Sequence, residues 1–274
     1  MKRFKGTKYA VFLTFAVFAI LIILAAVFAP VLCAGKSPVD AELADALLPP
    51  DSRHWFGTDQ LGRDVFARVI YGARTTLSAA LAVVAIIFVL GTLLGILAGY
   101  FGGIMDAVIM RFSDMMVSFP GMVLAIAVAG ISGASIKNAV IAVSFVSWTK
   151  YARLARSLVA KIRHSDYVQA AVVAGSRQWY ILTRYMLPAV LPTLVVTAAT
   201  DIGSMILELA GLSFLGFGAQ PPVPEWGLML NEGRPHMQTA SWLMIFPGLA
   251  IFLVVLVFNF LGDSLRDVLD VRKE

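Results

Sequence analysis

Few residues in this chain have the type and spacing for chemistry. Within TDIGSMILELAG, Asp201, Met205 and Glu208 follow one another at intervals of four and three. That spacing sets two carboxylates and a thioether on one face of a helix. At a rise of about 1.5 Å per residue the carboxylates stand about 10 Å apart. Carboxylates attract cations, and a soft thioether tolerates a transition metal, although methionine is also an ordinary packing residue. Two readings follow: a buried network with neighbouring helices, or a face that lines a path for cationic cargo. A second cluster, Asp106, Arg111 and Asp114, places Arg111 and Asp114 at i, i+3 and suggests an ion pair within one helix. Machinery for hydrolysis is missing from the sequence. There is no G-x-x-x-x-G-K-[ST], and the glycine-rich GYFGGIMD (99–106) has no lysine to reach a phosphate. H-E-x-x-H is absent, and His54, His164 and His236 are far apart. No metal site is assigned, no cofactor is expected in this chain, and the chain alone is not expected to be an enzyme.

The elements that must hold these residues are greasy. Hydrophobic residues make up 59% of the 274 and charged residues only 14%, against about 45–50% and 25% in soluble domains. A soluble fold could not bury so much apolar surface, and strand alternation is absent, so the chain reads as an all-α membrane protein and not a barrel. The net charge of +5 fits basic residues that orient spans in lipid, with no nucleic-acid partner. One cysteine, Cys33, rules out an internal disulfide. Six apolar stretches, 9–32, 78–100, 107–131, 137–160, 190–213 and 242–262, each approach the ~20 residues that cross a bilayer. Lys2, Arg3, Lys5 and Lys8 precede the first. That run is longer than a signal-peptide core of about 7–15 residues, so it reads as an uncleaved span.

The basic cluster favours a cytoplasmic N-terminus, and six crossings return the C-terminus to the same side. Lys150, Arg153, Arg156, Lys161, Arg163, Arg177 and Arg184 then gather on the cytoplasmic side around the fourth connection. Residues 1–72 form a first span with an extracytoplasmic segment, 73–263 a core of five spans, and 264–274 a cytoplasmic tail. The outer stretch 214–241 contains FLGFGAQPPVPEWG and reads as an irregular loop. It is expected to form an outer gate through Gln220, Glu225 and Trp226.

Between the fourth and fifth stretches lies QAAVVAGSRQWYILTRYMLP (169–188). It is too short and too polar to span. Tyr167–Ala174 can form a helix, Gly175 permits a corner, and a further turn or two over Arg177–Met186 leads to Pro188, which can open the next helix. A helix this short is marginal alone in water, so something must cover Val168, Val172, Trp179, Tyr180 and Ile181. Bilayer headgroups or a soluble partner's groove could do so.

The residues Gln169, Ala170, Ala171, Gly175, Ile181, Leu187 and Pro188 resemble the cytoplasmic signature loop of ATP-binding-cassette importer permeases. Gln169 stands where that loop usually has Glu, and Tyr185 where His is common. The segments HWFGTDQLGRDVFARVIYGARTTL (54–77), LAGYFGGIMDAVIMRFSDMMVSFP (97–120), GLSFLGFGAQPPVPEWGLML (211–230) and FPGLAIFLVVLVFNFLGDSLRDVLD (246–270) resemble the peptide/nickel branch of these permeases. The resemblance implies a type I importer permease whose coupling helix docks into an ATPase subunit. It also implies a second homologous permease, two cytoplasmic ATPases that bind ATP and Mg, an extracytoplasmic substrate-binding protein, and a bacterial or archaeal cytoplasmic membrane. DIGSMILELAGLSFLGFG (201–218) is somewhat more similar to nickel-type permeases, with di- or oligopeptide cargo as the alternative. A stand-alone channel or secondary transporter is the reading outside this family, but no internal symmetry supports it.

Overall fold

The computed structural model describes residues 2–269, with side chains from Lys8 onward. The side chains of Lys2, Arg3 and Lys5, and the end of the expected tail (270–274), lie outside the described residues. Among the described residues every regular element is helical. The chain begins with α1 (Lys2–Val27) and a short α2 (Ala29–Leu32), and an irregular outer segment then leads to α3 (Val65–Phe101). The Asp64 carboxylate caps α3 by accepting the Ala67 N–H at 2.9 Å. α3 has 37 residues, about 55 Å at the helical rise. It starts well before the expected residue 78, so the boundary placed at 72/73 falls inside one continuous helix.

The third stretch is not the single helix expected. α4 (Gly103–Val117) and α5 (Gly121–Ser132) meet at 92° across residues 118–120. Pro120 removes a backbone donor and disfavours the helical conformation of Phe119 before it, which explains the break. α6 (Ile136–Ile162) follows. Asn138 closes the end of α5 by donating to the carbonyls of Ser132 (2.7 Å) and Gly133 (2.9 Å).

Among the described residues four helical stretches are long and apolar enough to cross a membrane, and the bent α4–α5 pair makes a fifth if it counts as one span. α6 has the length, 27 residues, but carries Lys137, Lys150, Arg153, Arg156 and Lys161. Beyond it lie α7 (Asp166–Val173), α8 (Gln178–Ile181), a π-helical turn (Leu182–Met186), and α9 (Leu187–Phe214). Then come α10 (Trp226–Gly233) in the outer connection and α11 (Trp242–Leu269). α11 passes through the boundary expected at 264.

The centre of the molecule is α3 packed along α6 and α9, with α11 against α9 and α1. A close approach drives the α3–α6 contact. Gly91, Gly95 and Gly99 recur every fourth residue, and a Cβ on them would collide with the carbonyls of Trp148, Ala152 and Arg156 respectively. Small residues at this spacing let membrane helices meet backbone to backbone.

The segment between α2 and α3 is tied down just as firmly. Arg63 and Arg68, both almost fully buried, reach the Glu232 carboxylate at 3.1 and 2.7 Å, and Arg63 also meets Asp59 at 2.6 Å. Trp242 Nε1 donates to the Thr58 carbonyl at 3.1 Å.

Candidate functional site

The insert between α6 and α9 has the helix–corner–helix form expected. α7 ends in a Schellman motif: the Gly175 N–H donates to the Val172 carbonyl at 3.0 Å and the Ser176 N–H to the Ala171 carbonyl at 3.1 Å. Gly175 sits at φ +76° with nothing within 4 Å of where a Cβ would be. The corner therefore needs glycine for its backbone, and it faces open space. Val168, Ala171, Ile181, Leu182 and Met186 turn inward and pack on the chain's own core. Tyr167, Val172, Val173, Trp179 and Tyr180 are exposed, Val173 to 87% and Trp179 to 71%. Tyr185 sits 6.0 Å, ring to ring, from both Tyr167 and Tyr180. Gln169 Nε2 donates to the Arg163 carbonyl at 2.9 Å, a bond an ionised Glu could not make. Ala170 and Pro188 are exposed, Leu187 is partly buried, and Pro188 lies in the first turn of α9. Of the signature positions, then, Ala171 and Ile181 serve the fold, whereas Ala170, Gly175 and Pro188 lie on the outside.

The carboxylate face on α9 divides. Asp201 is only 4% exposed, and both its oxygens are occupied: Lys150 Nζ donates to Oδ1 at 2.6 Å and the Tyr151 hydroxyl to Oδ2 at 3.0 Å. Met205 is buried. Glu208 is half-buried and Ser204, between the two acids, is exposed. Asp201 thus joins a network with Lys150 and Tyr151 of α6.

The other acidic cluster corrects an expectation. Asp114 pairs with Arg153 at 2.8 Å and Asp106 with Arg156. These ties join α4 to α6 and replace the pair expected between Arg111 and Asp114.

The connection between α9 and α11 holds the three residues expected at a gate. Glu225 is fully buried and caps α10, accepting the N–H groups of Gly227 (3.0 Å) and Leu228 (2.8 Å). Trp226 is buried and donates through Nε1 to the Val69 carbonyl at 2.9 Å. Both side chains fasten α10 to α3. Gln220 alone of the three is exposed.

Residues 91–274 match the family described as binding-protein-dependent transport system inner membrane component. The chain belongs to this family. Full-length relatives agree. A dipeptide transport system permease protein of Alkalihalophilus pseudofirmus is 44% identical over 91% of this chain and 82% of its own length. A glutathione transport system permease protein of Pectobacterium atrosepticum is 48% identical over 81% of this chain and 74% of its own. A nickel transport system permease protein of Escherichia coli K12 is 40% identical over 85% of this chain and 84% of its own. In fold, this permease is similar to a chain of the MetNI methionine ABC transporter in an inward-facing conformation. The TM-score is 0.58 at 18% identity, covering 73% of this chain and 96% of that one. The architecture is that of a type I importer permease, and the chain is a multi-pass inner-membrane component.

One feature of the permease is not apparent from helix spacing alone. Lys150 reads in the sequence only as an orienting charge, because its partner lies in another helix. The row Gly91, Gly95, Gly99 was legible as a small-residue repeat at four-residue spacing.

Proposed function

We propose that this permease is the membrane subunit of an ATP-driven importer of small peptides. It works beside a second permease, two cytoplasmic ATPases and an extracytoplasmic binding protein, with both of its own termini cytoplasmic. The supporting observation is the insert. An eight-residue α7 with a capped glycine corner leaves Tyr167, Val172, Val173, Trp179 and Tyr180 uncovered, the form of an apolar helix face that fills a partner's groove. ATP hydrolysis belongs to the partner, and its closure reaches the spans through the inward anchors Val168, Ala171 and Ile181.

Peptide cargo is favoured by relatives named for dipeptide, D,D-dipeptide and glutathione transport at 44–48% identity. Nickel is the second reading, carried by the nickel permease relative at 40%. The occupied oxygens of Asp201 and the buried Met205 leave that reading little free ligand chemistry.

The test is the complex purified with its co-expressed neighbours, with ATP hydrolysis measured against binding protein plus dipeptide, glutathione or nickel. Stimulation by peptide is expected. Stimulation by nickel alone would overturn the peptide reading. Gly175→Trp should insert and assemble but lose stimulation at least about tenfold, because it strains a corner held at φ +76° and puts a side chain where the partner must approach. Full stimulation in that variant would remove the corner from coupling.

A further inference from the structure

Lys150 and Asp201 stand near the midpoints of α6 and α9. Asp201 is buried and saturated, yet 60% of the Lys150 side chain remains exposed. An ammonium that faces hydrocarbon is costly, so this face is suited to water or another polar surface. The same face carries polar groups along α9. Ser204 lies one turn beyond Asp201 and is exposed, and Glu208 lies one turn further and is half-exposed. Glu208 follows Asp201, the partner of Lys150, by seven residues on α9, about 10 Å along the helix. Lys150 spends one of its three N–H donors on Asp201, so the groups left to meet a passing molecule are its remaining donors and the Glu208 carboxylate, flanking a hydroxyl.

We propose that Lys150 and Glu208 form a matched pair in the translocation path, selecting small zwitterions whose carboxylate passes Lys150 and whose ammonium passes Glu208. Asp201 is the positioning residue that holds Lys150 on this face. The inference rests on the peptide-importer reading and adds which groups meet the cargo.

The test uses the whole complex in membrane vesicles, with Cys33→Ala and Ser204→Cys in this chain. Labelling rates are read with a cationic methanethiosulfonate (ethyltrimethylammonium) and an anionic one (ethylsulfonate). Both reagents are expected to react at Ser204→Cys. Adding Lys150→Gln should lower the anionic-to-cationic rate ratio about tenfold, and Glu208→Gln should raise it about tenfold. Lys150→Arg should restore it. Saturating glycyl-glycine with binding protein should slow both reagents. If Lys150→Gln does not assemble, Glu208→Gln reads the same ratio from the other side.

Labelling in the separated chain but not in the assembled complex would overturn the proposal and make this face a joint with the second permease. Unchanged ratios in a complex that accumulates dipeptide would overturn the pair. A wild-type complex that accumulates no dipeptide would instead sink the cargo reading.

Discussion

Asp201 accepts from Lys150 and Tyr151 at once, and that double engagement sets what its loss does. Asp201→Asn keeps an acceptor for Tyr151 but takes the countercharge from Lys150. Lys150 is largely exposed, so solvent screening limits the cost to about 1–2 kcal/mol. The expected result is a lower melting temperature of the purified permease, with uptake of dipeptide per assembled complex reduced. A loss confined to nickel, with stability intact, would return Asp201 to direct cargo contact. Spacing along one helix was enough to group Asp201 with Met205 and Glu208. It could not show which of them was already spoken for, because Lys150 and Tyr151 come from a different helix. Burial, not period, separates Glu208 from its neighbours.

α3 and α6 are held by the absence of side chains at Gly91, Gly95 and Gly99. A larger residue at the middle of the row must push the helices apart against the whole interface. Gly95→Leu is expected to cost about 3 kcal/mol or more and to abolish a monodisperse peak in detergent. Gly248, with nothing within 4 Å of a Cβ position, should accept Leu without that loss. Equal behaviour of the two variants would show that the glycine row does not set the packing.

The apolar runs that became α1, α3, α9 and α11 were readable from composition because lipid demands length and greasiness and little else. The break at Pro120 and the early start of α3 were harder to read. A proline can sit inside a membrane helix, as Pro192 does in α9 and Pro247 in α11, so its presence alone does not announce a corner. The insert was legible in shape because Gly175 and Pro188 punctuate it. Its inward and outward faces were not, since eight residues make barely two turns and both faces are apolar.

On the scale of the whole molecule, the outer segment is clamped by charge. Asp64 accepts from Lys36 at 2.7 Å, from His54 Nδ1 at 2.9 Å and from the Ala67 N–H at 2.9 Å. Burial pushes its carboxyl up, but the bonds from Lys36, Ala67 and His54 outweigh burial and hold it below the usual carboxylate range. A depressed value means the clamp is complete above the ordinary aspartate value of about 3.9 and is lost as pH falls through the lower folded value. Protease cleavage within residues 36–64 should therefore stay slow near neutrality and rise only in strong acid, well below pH 4. Cleavage that rises already at pH 6 would assign the clamp to other groups.

The charges of α6 have a consequence for how the chain is made. A helix with a lysine at its centre and arginines beyond it partitions poorly into lipid when it leaves the ribosome alone. Its compensations are the glycine face of α3 and the carboxylates Asp106 and Asp114 of α4, synthesised before it, and Asp201 of α9, synthesised after it. Insertion of α6 is therefore expected to depend on four helices, and a chain truncated between α6 and α9 should insert less completely than one that includes Asp201.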